Sequence, residues 1–369
     1  MCCRFRANNS YTSQFAELLQ VAVGARERLS ACPTSDDWQA IYAIASQQAL
    51  TGVGFAALQT LPPEQQTCSA DMLGLWFART EQIRQTNRKQ LQTLPSISAK
   101  LQEHELTACL LKGQAATLRY PADLRELRMS GDIDVWGWQP NGNLRTTINT
   151  CIRLAQAQIS ETPAVRYHHI EWHFAGSSVE LHFRPTFMNS PIRNRRLQRW
   201  CETQKPRCIW NDSWHMFIPT EEFDVVYQLA HLYRHLLDEG VGMRQVMDYY
   251  FVVSSFSGDK LAIRKTLRHL GLYNFCSAMM YVLQSLFALP QQAVIVPADE
   301  WRGKAVLNQI WQDGNFGTNR PETKHPQSET QHFLHKTRRN FRFLQYFPAE
   351  VLSEPLFRIY HFIWRKILV

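Results

Sequence analysis

Apolar residues recur at three-to-four spacing over residues 11–30 (Phe15, Leu18, Leu19, Val21, Val23) and again from residue 37 (Trp38, Ile41, Ile44, Ala45, Ala49), which predicts two amphipathic helices. Ser35, Asp36 and Asp37 supply N-cap chemistry to the second, a third segment ends at Pro62-Pro63, and a fourth helix fills 71–93 before Pro95. After a helix around 97–105 the period changes. Leu106, Thr107, Ala108, Cys109, Leu110 and Leu111 form a short apolar run ending in Lys112-Gly113, as a buried strand does, and Ile133-Asp134-Val135-Trp136 reads as a second strand. A helix is expected over 143–158. Two more strands fall in 168–174 and 179–185, separated by the turn chemistry of Ala175-Gly176-Ser177-Ser178. Helical spacing returns at Thr220, with Val225, Val226, Leu229, Leu232 and Leu236 on one face, and continues near 241–256, 259–270 and 273–288. A polar loop (313–330) and a basic, aromatic tail close the chain.

The segment Gly131-Asp132-Ile133-Asp134-Val135 sets two carboxylates at i and i+2 of a strand, hence on one face, with Ile133 and Val135 on the other. Parallel acids repel, so the pair either lies in solvent at a strand edge or shares a hard cation such as Mg²⁺ or Mn²⁺. Upstream, strand, Lys112-Gly113 and helix start form an arrangement whose backbone N–H groups hold phosphate. Downstream, Glu180 adds a third acid. With a four-residue turn over 175–178, Phe174 faces Val179 and the polar face pairs His173 with Glu180, Glu171 with His182 and His169 with Arg184. Ile170, Trp172, Phe174, Val179, Leu181 and Phe183 then make the core face.

Composition narrows the class. The 369 residues are 45% hydrophobic and 20% charged, which excludes a disordered or low-complexity chain. Forty Lys and Arg against 32 Asp and Glu leave a charge of +8, favouring anionic partners. Nine cysteines, odd in number and without a C-x-x-C pair, argue for reduced thiols in a cytoplasmic protein rather than disulfides or a zinc ribbon. The polar N-terminus makes a poor secretory signal, and no transmembrane segment is expected.

The order strand–glycine–helix, Asp-x-Asp strand, then a strand with a third acid resembles the DNA polymerase β-type nucleotidyltransferase superfamily. More narrowly, Leu111-Lys112-Gly113, Tyr120-Pro121, Arg128, Gly131-Asp132-Ile133-Asp134 and Val179-Glu180-Leu181-His182 resemble the bacterial group of uncharacterised nucleotidyltransferases. The similarity extends to residues 38–61, to 231–248 and to Asp313-Gly314-Asn315-Phe316-Gly317. It implies an α+β protein with a polymerase β-type mixed sheet core (96–200) flanked by helical lobes at 1–95 and 201–369. It also implies transfer of an NMP from an NTP to a hydroxyl of an acceptor, whether protein, RNA or small molecule, with release of pyrophosphate. Asp132, Asp134 and Glu180 would bind Mg²⁺ or Mn²⁺ and carry the catalysis. Lys112, Gly113, Arg128, Gly131 and His182 would contact the nucleotide. The wider superfamily has Gly-Ser or Gly-Gly where this chain has Gly113-Gln114, so a serine contact to phosphate is missing. That departure motivates an alternative, a catalytically silent nucleotide- or RNA-binding protein.

The remaining features leave choices open. Lys112 is either a phosphate contact or a surface lysine at a strand end, and Arg119 and Arg125 read as solvated loop charges. His168, His169, His173 and His182 surround Glu180, but their spacing fits no zinc signature. His182 either supports Glu180, touches nucleotide or sits on the surface. His231 and His235 share a helical face without the glutamate of a metalloprotease motif, and Arg244 and Asp248 are candidates for a structural ion pair. The tail 332–369 interleaves arginines with aromatics, a composition suited to packing on the helical lobe, to nucleic acid, or to a peripheral membrane or protein contact, the last making the chain a cytoplasmic adaptor.

Overall fold

The computed structural model describes residues 9–157, 165–318 and 336–368. The chain opens with helices α1 (Asn9–Ala22), α2 (Ser35–Gln47), α3 (Thr51–Thr60) and α4 (Ala70–Glu103), followed by β1 (Thr107–Leu110), α5 (Lys112–Ala116), β2 (Ile133–Trp138) and α6 (Leu144–Gln156). The hairpin β3 (His169–Phe174) and β4 (Ser177–His182) leads to α7 (Pro191–Gln204) and a second hairpin, β5 (Ile209–Asn211) and β6 (Met216–Ile218). Helices α8 (Glu221–Leu237), α9 (Met243–Ser254), α10 (Lys260–Leu270), α11 (Tyr273–Phe287), α12 (Glu300–Asp313) and α13 (Pro348–Leu368) complete it.

Six strands form one mixed sheet in the order β3-β4-β2-β1-β6-β5. The central pairs alternate in sense: β1 runs antiparallel to β2, and β2 parallel to β4. Alternation of side chains decides what each face carries. Ile133, Val135, Ile170, Trp172, Val179 and Leu181 turn to one side and are buried with Leu94, Ile97 and Leu101 of α4 and Ile148 and Leu154 of α6. Cys109 and Trp136 turn to the other and join Leu197, Phe223 and the N-terminal helices in a second core. Burial of each large apolar side chain contributes about 1.5–3 kcal/mol, so a slip of one residue, which would turn the hairpin's apolar set outward, is heavily disfavoured.

Several expectations need correction. The hairpin turn is two residues long, because Ala175 and Gly176 both take positive φ (50° and 76°), as a type I′ turn requires. Phe174 therefore pairs with Ser177, Glu171 with Glu180 and His169 with His182. The register moves by an even number, so the faces survive while the partners change. Helix α4 continues through Pro95 for 34 residues instead of breaking there. Thr34, whose side chain accepts from the Asp37 N–H, caps α2 instead of Ser35 or its neighbours. Helix α7 and the β5–β6 hairpin had no expectation at all. Most of the loop 313–330 and the start of the tail lie outside the described residues. The rest of the tail packs through Phe343, Phe347, Val351, Phe357 and Trp364, while Leu352, Leu356, Ile359 and Ile363 on α13 are exposed.

Candidate functional site

Two helices hold the loop that carries Asp132 and leads into β2. From α4, Asn87 donates to the Arg128 carbonyl at 2.8 Å and Gln90 to the Gly131 carbonyl at 2.8 Å. From α9, Arg244 donates to the Met129 carbonyl at 2.7 Å. Arg128 is buried and closes a bidentate fork on Asp248, Nε–Oδ1 2.6 Å and Nη2–Oδ2 2.7 Å, to which the Tyr120 hydroxyl donates at 2.7 Å. Asp248 thus pairs with Arg128, not with Arg244, and Arg128 spends its fork inside the protein although it still lines the cleft. Arg119 contacts Glu221 (3.3 Å) and Asp224 (3.8 Å) rather than solvent alone.

The parallel register sets Asp134 directly beside Glu180 and Trp136 beside His182. Asp132 precedes β2 and is exposed, on the wall of the same cleft but outside the tight cluster. The cluster is Asp134, Glu180 and His182, whose polar atoms lie within 4.8 Å of one another. His182 Nε2 stands 2.9 Å from Asp134 Oδ1 and 3.2 Å from Glu180 Oε2. Lys112 Nζ lies 2.7 Å from Asp134 Oδ1, 3.8 Å from Glu180 Oε2 and 3.3 Å from His231 Nε2. A lysine ammonium therefore sits against the carboxylates, where the charge of a hard cation would be balanced by the same oxygens.

Electrostatics separates the two acids. Burial raises the pKa of Asp134 against the pull of Lys112. Burial opposes ionisation of Glu180 too, but the hydrogen bond with His182 and the Lys112 charge hold it far below the usual carboxylate range. Burial alone would keep His182 neutral, yet its bonds to Asp134 and Glu180 raise its pKa. Burial lowers His168 as well, and it drives His169 down to about 2 although the Glu180 charge pulls the other way.

The turn after β1 is strained. Lys112 and Gly113 have φ of 27° and 31°, and a β-carbon makes that region costly for Lys112. Helix α5 spans five residues with a non-helical Gly113 inside it, so the helix dipole expected behind this turn is minor. A β-carbon on Gly113 would meet only the Asp132 carbonyl at 3.9 Å and Arg128 Nη1 at 4.0 Å, leaving an open cradle above the turn. Gln114, at the position of the missing serine, turns away and donates to Gln90 at 2.8 Å.

These groups line a cleft of about 420 Å³, within the range that encloses a nucleotide-sized ligand. Lys112, Gly113, Gly131, Asp132, Asp134 and Glu180 share it with Arg234 and His235 of α8 and with Lys336, Glu354, Phe357 and Arg358 of the tail. The tail contribution had no local signal, since Lys336 reaches the cleft through its ion pairs with Asp238 and Glu354, and Phe357 beside Arg358 stacks on Phe187 (centroids 4.7 Å apart, planes at 15°). His231, which faces Lys112, was singled out by its helical spacing but without that role. His168, His169 and His182 come together, whereas His173 is exposed and stays apart.

A mixed sheet that aligns buried Asp134 with half-buried Glu180 on neighbouring parallel strands beside a strained Lys-Gly turn is consistent with an α+β protein of the nucleotidyltransferase class. The chain belongs to the family of uncharacterised nucleotidyltransferases, which it matches over residues 34–288. No curated protein and no solved structure matches it.

Proposed function

We propose that the protein moves a nucleoside monophosphate from an NTP to a hydroxyl of an acceptor. The observation that carries this reading is the pairing of Asp134 and Glu180 across parallel strands, facing the open cradle at Gly113. The acceptor oxygen bonds to the α-phosphorus, the bond to the β-phosphate breaks, pyrophosphate leaves, and the hydroxyl proton passes to a carboxylate or water. The oxygen donors of Asp132, Asp134 and Glu180 fit Mg²⁺ or Mn²⁺, which when bound supplies charge neutralisation of the triphosphate and a more acidic acceptor hydroxyl. Lys112, freed from Asp134, turns its ammonium to phosphate oxygens as a point charge. Gly113 lets the phosphates approach the backbone. His182 holds the two carboxylates in register, and Arg128, through Asp248, fixes the loop bearing Gly131 and Asp132.

Pyrophosphate release with each NTP and Mg²⁺ tests the reading. Asp134→Asn and Glu180→Gln are each expected to lower it by about 100-fold or more. Equal rates in these variants and the unaltered protein would refute the assignment. One observation favours a second reading, binding without turnover: Gln114 is bonded to Gln90, so nothing replaces the serine contact to phosphate. Saturable NTP binding with no pyrophosphate formed would support it.

A further inference from the structure

Three buried histidines adjoin the carboxylates, and two of them, His168 and His169, have no part in the reading above. His168, His169 and His182 have 3%, 5% and 0% exposure, and their rings offer nitrogens all within 4.8 Å of one another. His168 Nε2 faces His169 Nδ1 at 3.1 Å, His169 Nδ1 is 3.5 Å from Glu180 Oε2, and His182 Nε2 is 3.2 Å from that same oxygen. Atoms that share one ion at about 2.0–2.2 Å, at angles of about 90–110°, are about 2.8–3.6 Å apart. The facing nitrogens of His168 and His169 fall in that range, and the nitrogens of all three rings lie within 4.8 Å of one another, with Glu180 beside them.

The surroundings of these rings add a second observation. Among the described residues, every hydrogen-bond or ionic contact of their nitrogens is to another ring of the set or to Asp134 and Glu180. His168 Nδ1, His169 Nε2 and His182 Nδ1 have no hydrogen-bond partner among the described residues. No backbone carbonyl fixes a tautomer, as it commonly does for a histidine that serves only the core. Two facing ring nitrogens either spend one proton on each other or direct both lone pairs at a cation.

We propose that His168, His169 and His182 form a three-nitrogen site for a borderline divalent ion of the Zn²⁺ or Co²⁺ type, with its remaining positions open to solvent ligands. It adjoins the oxygen-rich site of Asp132, Asp134 and Glu180. Nitrogen-rich donors prefer such ions to Mg²⁺. Sequence spacing could not reveal the site, because His168 just precedes β3 and His169 opens it, His182 ends β4, and they meet through the register that sets His169 opposite His182.

The test uses the full chain, freed of metal by chelation and without nucleotide, so its outcome is independent of nucleotidyl transfer. Titration with Co²⁺ should give one equivalent with the visible absorption of a four- or five-coordinate, nitrogen-bound ion, displaced by Zn²⁺ and not by excess Mg²⁺. The His168→Gln, His169→Gln double variant should bind at least about tenfold more weakly, whereas Asp132→Asn should bind as the unaltered chain does. X-ray absorption of the unaltered protein with one equivalent of Zn²⁺ should show imidazole scattering, a readout that does not depend on the variant's folding. An oxygen-only shell overturns the proposal. So does displacement by Mg²⁺, or an imidazole signal that persists in a folded double variant.

Discussion

Gly113 combines a left-handed backbone with an open face toward the cleft, and the two can be separated by substitution. At φ 31° an alanine costs about 1 kcal/mol in stability, with no clash to add to it. Its methyl would also stand in the cradle, so Gly113→Ala should raise the KM for NTP by more than its small loss of stability accounts for, and an unchanged KM would remove Gly113 from the nucleotide site. Arg128 is a different kind of residue. Arg128→Ala leaves Asp248 buried with its fork gone, a loss of about 3–5 kcal/mol in urea unfolding, and Arg128→Lys should recover only part of it. A loss under about 1 kcal/mol would show that the pair does not hold the loop. At this scale the sequence was informative where neighbours are local. Asp132 and Asp134 are two apart, and Glu180 follows from alternation along its strand. The partners of Lys112, Arg128 and His169 are set by contacts across the fold, which spacing does not encode.

Among the elements, the β3–β4 hairpin shows how turn chemistry fixes the site. Ala175 adopts φ 50°, a conformation that asparagine tolerates better, and Asn-Gly is the favoured type I′ pair. Ala175→Asn should therefore stabilise the protein by a few tenths to about 1 kcal/mol, measured by thermal or urea unfolding. Destabilisation would mean that the turn is not of this type. Hydrophobic periodicity located α2, α6, α8, α10 and α11 to within a few residues, α2, α6 and α10 because each buries one stripe, and α8 and α11 although they are buried on most of their surface. It missed α7, which is dominated by arginines and buries few side chains, and the strands β5 and β6, which are only three residues each. It also broke α4 at Pro95, where burial of Leu94, Ile97 and Leu101 on the sheet keeps the helix continuous despite the lost hydrogen bond.

For the whole molecule, the +8 charge is a poor guide to where the chemistry lies. Lys112, Arg128 and Arg244 are committed to internal partners, and the tail brings Lys336 and Arg358 to the cleft together with Glu354. Burial also sets a pH dependence. Asp224, on α8, has its pKa raised to about 7, chiefly by burial and against the charge of Arg119. The folded chain therefore holds this proton more tightly than the unfolded chain, so the stability it contributes is full below about pH 4 and is lost as pH rises toward 7. Asp224→Asn should remove that loss, gaining a few kcal/mol relative to the unaltered protein by pH 8 and nothing at pH 4. Parallel pH–stability curves would contradict it. Among the described residues no helix is long and apolar enough to cross a membrane, and the exposed stripe on α13 is the surface on which a partner or lipid contact of the tail would have to form. The central claim is the transfer itself, and it is tested most directly by incubating the full chain with Mg²⁺, cell extract and NTP labelled at either the α- or the γ-phosphate. The account predicts that α-label becomes attached to an acceptor, that γ-label leaves as pyrophosphate, and that an Asp132→Asn, Asp134→Asn double variant does neither. Attachment of the γ-label, or equal α-label transfer by the double variant, would contradict it.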